Sequence, residues 1–401
     1  MRLNLLISCL FYLITTIKLY AGTADTTQIP ILAWGGVPPH EASVARYEEM
    51  KEAGLTISLT RSTTIDSMAM MLDMAAKAGV TLIVRCPELQ TDPENTVRRF
   101  MNHPATAGYF LKDEPSAKEF PYLGKWMKKI HAVDSQQACY INLFPNYAVP
   151  QQLGADTYQQ YLDDYMSTVD PPVLSFDHYP VIEAKGVRHL REEWVVNLEM
   201  VAKTAQKNNK PFWAFALSVA HGHYPVPTLA EIRLQVFANL AYGAQSIQYF
   251  TYWTPRNRSQ YTYHHGPIDS NNKRTDVYEM IKTVNREIQS LSGIFLSAKV
   301  ISVGHTGENI PAGTQRLSEP PKGIKKIRTK GEGAIVSLIE NDKQHYAIIV
   351  NRDFKQPMKL YIKGNGKLES VFKDIHKPGS ESRSFALLIA PGDIAVFRIK
   401  H

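Results

Sequence analysis

Cysteine is almost missing from this chain: 401 residues contain three, Cys9, Cys86 and Cys139. That excludes the disulfide framework of small exported domains, so the fold must hold by its core. Cys9 lies in an N-terminal apolar stretch. Cys86 ends one apolar run and Cys139 starts another, so in a barrel they face opposite rims, beyond the ~7 Å Cα separation that a disulfide tolerates. Both are expected to be free, buried thiols. Also missing are a glycine-rich phosphate loop after the first apolar run and any Gly-x-Ser-x-Gly elbow. Their absence removes the grounds for a dinucleotide cofactor or a serine nucleophile, and no cofactor is expected. There is no internal repeat and no low-complexity segment. Beyond residue 21 no membrane-spanning segment is expected.

The first residues stand apart. Arg2 precedes an apolar core at 3–17, followed by Lys18 and the small residues Ala21 and Gly22. This is the pattern of a secretory signal over 1–21, cut after Ala21 or Ala24, with an uncleaved anchor as the alternative. A secreted or periplasmic location follows as the expectation. The formal charge of +7 is unevenly spread: residues 295–401 carry 18 basic against 10 acidic side chains, the signal adds two, and 22–294 is left at −3. Lys325, Lys326, Arg328 and Lys330 therefore read as a solvated basic face away from the active region, and nucleic acid is not indicated as a partner. Nothing in the sequence fixes the oligomeric state.

From 29 to 293 short apolar runs alternate with amphipathic segments, the signature of βα units. Eight runs read as parallel strands: 29–34, 55–59, 81–85, 107–111, 138–143, 173–176, 211–217 and 246–252. Helices are expected at 44–53, 67–78, 119–133, 187–208 and 228–242, the last opened by Thr228 as cap with Glu231 at its third position. Eight units over about 260 residues define a (β/α)8 TIM barrel over 22–294. From 295 to 401 short alternating runs, punctuated by Gly364-Asn-Gly366 and Pro391-Gly-Asp393, predict an antiparallel β-sandwich domain that braces the barrel. The fold class is α/β.

At the end of the fourth run stands Lys112-Asp113-Glu114-Pro115. A proline cannot extend the ladder, so both acids sit where strand becomes loop, on the catalytic rim of such a barrel. The other strand ends contribute Trp34, Arg85, Glu88, Asn142, Asn146, Asp177, His178, Tyr179, His221, Tyr252 and Trp253. Aromatic faces for sugar rings, with amides and charges for hydroxyls, make a carbohydrate-binding inventory. Glu114, Asp177 and Asp113 are the candidate catalytic groups. His221-Gly-His223 suggests zinc, but barrel metallohydrolases gather ligands from several strand ends and the first run here ends in Trp-Gly-Gly; no metal is expected.

The ending Gly-Tyr-Phe-Leu-Lys-Asp-Glu-Pro resembles the Asn-Glu-Pro or Asp-Glu-Pro ending of (β/α)8 glycoside hydrolases in the clan of β-galactosidases and cellulases. Ser175-Phe-Asp-His-Tyr-Pro180 and the segment 242–253 are similar to sugar-hydrolase barrels of polysaccharide-degrading bacteria. The resemblance implies O-glycosidic bond hydrolysis with Glu114 as general acid/base. It also implies a nucleophilic Glu at the end of strand seven, where 211–223 offers no carboxylate. Asp177 is the best available partner. A non-catalytic carbohydrate-binding protein on a glycosidase-like barrel is the alternative.

Overall fold

The computed structural model describes residues 27–374 and 379–400. The signal at 1–21 lies outside the described residues. Eight parallel strands close into a barrel: β1 (Ile31–Trp34), β2 (Ile57–Leu59), β3 (Thr81–Val84), β4 (Thr106–Asp113), β5 (Ala138–Leu143), β6 (Leu174–Phe176), β7 (Phe212–Leu217) and β8 (Ser246–Phe250), with β1 pairing β8. Each strand is buried on both faces, which is why the runs read as continuous apolar stretches. Alternation still sorts them. On β7, Trp213, Phe215 and Leu217 fill the barrel while Phe212, Ala214 and Ala216 meet the surrounding helices. On β5, Tyr140 points inward and Cys139 and Ile141 outward. Cys86 and Cys139 are free and buried, as expected.

The outer layer contains α1 (Val44–Glu52), α2 (Ile65–Ala78), α3 (Pro93–Phe100), α4 (Phe120–Val133), α5 (Tyr158–Val169), α6 (Trp194–Lys207), α7 (Leu229–Ala241) and α8 (Asp276–Ser290), besides shorter turns. The cap on α7 forms as its sequence predicts, with Glu231 N donating to Thr228 Oγ1 at 3.3 Å and Thr228 N to Glu231 Oε2 at 2.8 Å. One expected helix is different. Its first residues, Val187–Leu190, instead form an antiparallel hairpin with Val181–Ala184, and helix begins only at Trp194. Arg188 ties the hairpin down by donating to both oxygens of buried Glu231, at 3.0 and 3.1 Å.

The C-terminal layer is one antiparallel sheet folded on itself: β9 (Lys299–His305), β10 (Ile324–Lys330), β11 (Ala334–Asn341), β12 (Gln344–Asn351), β13 (Met358–Val371), β14 (Glu381–Ile389) and β15 (Ile394–Ile399). The long strand β13 pairs with β10, β14 and β15, so a single strand serves both halves of the sandwich. Gly364-Asn-Gly366 is therefore no turn. The strand runs through it and the register with β14 shifts between Lys363 and Leu368. Alternate residues of β11, β12 and β15 face two cores. Ile335, Ile339, Ile348, Val350 and Val396 join the barrel's helical layer, while Val336, Leu338, Ile349 and Phe397 fill the sheet's own interior. The basic cluster lies on β10, an edge strand, where lysines discourage edge-to-edge pairing.

Candidate active site

Strand parity builds the site from within the barrel. Val173, Ser175 and Asp177 share one side of β6 and its extension, and Ser175 meets Tyr140 and Asn142 from β5 inside the barrel. A directed chain of hydrogen bonds runs through this interior. Tyr140 OH donates to Gln248 Oε1 (2.5 Å), Gln248 Nε2 to Ser175 Oγ (2.9 Å), and Ser175 Oγ to Asn142 Oδ1 (3.0 Å). Because the Asn142 carbonyl is thus occupied, its amino group must face the rim. There Nδ2 donates to Asp177 Oδ1 at 2.9 Å and to Asp113 Oδ1 at 3.2 Å. Both oxygens share one nitrogen, so they lie no farther apart than the sum of those distances, about 6 Å.

Glu114 follows immediately. Its N–H donates to Asn142 O at 2.8 Å, and its φ of 46° places it in the left-handed region, which a non-glycine residue enters at a cost of order 1–3 kcal/mol. Neighbours on a regular strand point to opposite faces; the turn at Glu114 releases it from that alternation beside Asp113. Desolvation, then the charges of Asp177 and Asp113, push the Glu114 carboxyl up to about 9. Asp177, 8 % exposed, is pushed up to about 7 by burial and then by Asp113, with Asn142 and Tyr179 holding it back. Asp113 keeps a solvent-facing surface although densely surrounded, and it too is raised, by desolvation first, against the pull of Asn142 and Arg85. Three carboxyls from two strand ends thus share one field. At neutral pH Glu114 keeps its proton while Asp177 is poised near its titration point.

Trp34 closes the floor, 9 % exposed, edge-on to Phe110 (5.7 Å) and Phe215 (5.6 Å). Arg85 lies over Phe110, its guanidinium carbon 4.1 Å from the ring centroid. Tyr179 packs against Phe250 (5.5 Å) and Tyr224 (5.7 Å), and His221 stacks on Tyr263 at 5.0 Å. His178 is 2 % exposed, joined through Nδ1 to Asn197 Oδ1 at 2.9 Å, and burial drives its pKa down to about 3; it is a neutral positioning ring.

Four of the sequence-predicted residues are not brought to the acids. Tyr252 and Trp253 belong to the helical layer, with Trp253 beneath Arg46 (5.2 Å), because the chain turns outward past β8. Asn146 donates Nδ2 to Glu193 O at 3.1 Å and pins its loop to α6. Glu88 sits beside Cys86 and makes no hydrogen bond to the three carboxyls. Sequence reasoning missed Ser175 and Gln248, single polar residues at inward positions of apolar strands. It also missed Tyr147 and Arg191, whose guanidinium lies 4.4 Å over the Tyr147 ring. Strand β7 supplies no acid: it ends at Leu217, and Ser218 is buried, donating to Thr251 O at 2.8 Å. Among the described residues no three His, Cys, Asp or Glu side chains are grouped to hold a metal, and no helix is long and apolar enough to cross a membrane.

A family model described as "Glyco_hydro_42: Beta-galactosidase" matches residues 127–291. No curated protein matches the chain. Among solved structures it is similar to a glycoside hydrolase family 42 β-galactosidase from G. stearothermophilus, solved as a catalytic mutant: 9 % identity over 95 % of this chain and 99 % of that one, TM-score 0.65. A β-galactosidase from Bacillus circulans sp. alkalophilus shows 8 % identity over 93 % and 99 %, TM-score 0.54. The chain spans 60 % of the length of a β-galactosidase from the psychrophilic Marinomonas ef1, with 66 % of this chain covered, 11 % identity and a TM-score of 0.48. The chain is thus a (β/α)8 barrel with three carboxyls on its C-terminal rim, and its segment 127–291 is similar to the glycoside hydrolase family 42 model.

Proposed function

We propose that this protein is exported and hydrolyses O-glycosidic bonds in an oligosaccharide or polysaccharide, with Glu114 as general acid and Asp177 as base or nucleophile. The observation that carries this reading is the Asn142 amino group held between Asp113 and Asp177, with Glu114 N–H bonded to Asn142 O beside them. Glu114 gives its proton to the leaving oxygen, and Asp177 either takes one from an attacking water or attacks the anomeric carbon itself. Asp113 adds its charge to the burial that raises both neighbours. Through their Oδ1 atoms Asp113 and Asp177 approach within about 6 Å. β-Galactosides are the first substrates to try, given the description of the matched family.

The β7 terminus, where only Ser218 stands, favours a second reading: a receptor that binds glycans without cleaving them. Product analysis on a polysaccharide and β-galactoside panel separates the two. The enzyme reading expects sugar release by wild type and none by Glu114→Gln; no product from wild type on any substrate leaves the receptor.

A further inference from the structure

The catalytic rim carries cations that the chain itself does not satisfy. Arg85 follows β3 directly and Arg61 stands two residues past β2. Ser62 N donates to Arg85 O at 2.9 Å, which brings the two loops side by side. The Arg85 guanidinium is half-buried, spread over Phe110 at 4.1 Å and within 6.0 Å of the Trp34 centroid. Arg61 is exposed beside it, and the two cations repel across the short gap. Among the described residues no acceptor takes a hydrogen bond from either guanidinium. Asp113 is the nearest opposite charge, yet it forms no ion pair with Arg85 and accepts from Asn142 instead. A planar guanidinium fork matches a two-oxygen anion.

Resting on the hydrolase reading, we infer that Arg85 and Arg61 form a subsite for an anionic substituent on the substrate sugar, a carboxylate or a sulfate ester. The ring of that sugar lies against Trp34, next to the carboxyls. The bland alternative is that Arg85 only offsets the charge of Asp113. That role would treat neutral and charged sugars alike.

The test uses the full-length Glu114→Gln protein, titrated by calorimetry or ligand-observed NMR with galactose, galacturonic acid and galactose 6-sulfate, and with glucose and glucuronic acid as the epimeric pair. Expected is binding of at least one charged sugar at least tenfold tighter than its neutral counterpart. That advantage should shrink in high salt and vanish when Arg61→Gln and Arg85→Gln are combined. Preference for the acids over galactose 6-sulfate would identify a carboxylate, and the reverse a sulfate. Equal or weaker binding of all charged sugars, no binding by any, or an advantage that survives the double substitution overturns the inference. Hydrolysis of a neutral β-galactoside by wild type is measured alongside. Cleavage without charged preference sinks only the anion subsite, and charged preference without cleavage of any panel substrate sinks only the hydrolase reading.

Discussion

The two ends of the barrel differ in how their charges are settled. The N-terminal end holds a void of about 1510 Å³, lined by strand starts and the segment before β9, including Pro30, Val80, Phe212 and Val300. Most of its charges have partners: Lys51 Nζ donates to Ala78 O, Lys203 pairs with Glu199, and Lys210 with Asp170. The C-terminal end holds three carboxyls in one field, a strained Glu114 and an unmatched Arg85. Empty volume is therefore a poor guide to chemistry in this molecule. Unrelieved electrostatics and strain mark the end that must act on something, and the settled end serves stability.

That contrast is broken most directly by exchanging side chains at each end. Glu114→Gln should lower kcat by about 10²–10⁴-fold, the range for a lost general acid, while Lys210→Ala should leave turnover unchanged and lower only the melting temperature. Steady-state kinetics and calorimetry on the two variants check this. Removing the bracing sheet, by ending the chain near Gly293, takes Ile335, Ile348 and Val396 out of the common core, exposes the apolar helix surface they cover and should abolish cooperative unfolding of the barrel. A truncated chain as stable as the whole would refute the bracing role.

Smaller effects sharpen the comparison. Turnover should follow a bell, falling on the acid side as Asp177 takes up a proton near 7 and on the alkaline side as Glu114 loses its own near 9. Ser175→Ala breaks the chain that aims Asn142, so kcat should fall about tenfold with KM little changed, and stability by about 1–3 kcal/mol for the Asn142 carbonyl and Gln248 amino group left unpaired. The pH dependence of stability has a definite sign. Since Glu114's folded-state pKa lies above its unfolded value, its favourable contribution is complete at acid pH and is lost as pH rises from about 4.5 through 9. Glu114→Gln carries no such loss, so its melting temperature should gain on wild type with rising pH, and a constant difference between pH 5 and 9 would contradict the assignment.

Much of this was legible in the residues. The eight strands, the α7 cap and the Asp113-Glu114 corner announce themselves, because a doubly buried strand must be apolar and Pro115 must end it. What escaped was geometry that spacing does not encode. Val187-Arg-His-Leu190 has no helical stripe of its own and pairs as a hairpin once Arg188 reaches Glu231. Ile324-Lys-Lys-Ile-Arg-Thr-Lys330 reads as a charge cluster, and only its pairing with β13 makes it an edge strand. Ser175 and Gln248 look like incidental polar residues until the closed barrel points them at Asn142. Tyr252 and Trp253 sit past the end of β8, where strand alternation no longer tells inside from outside.

Whether Glu114 and Asp177 perform hydrolysis is tested most directly by product formation by wild type, Glu114→Gln and Asp177→Asn on one β-galactoside and polysaccharide panel. Loss of product in both variants, with sugar binding retained, is the predicted result. Full turnover in either variant, or no turnover by wild type on any substrate, would contradict it.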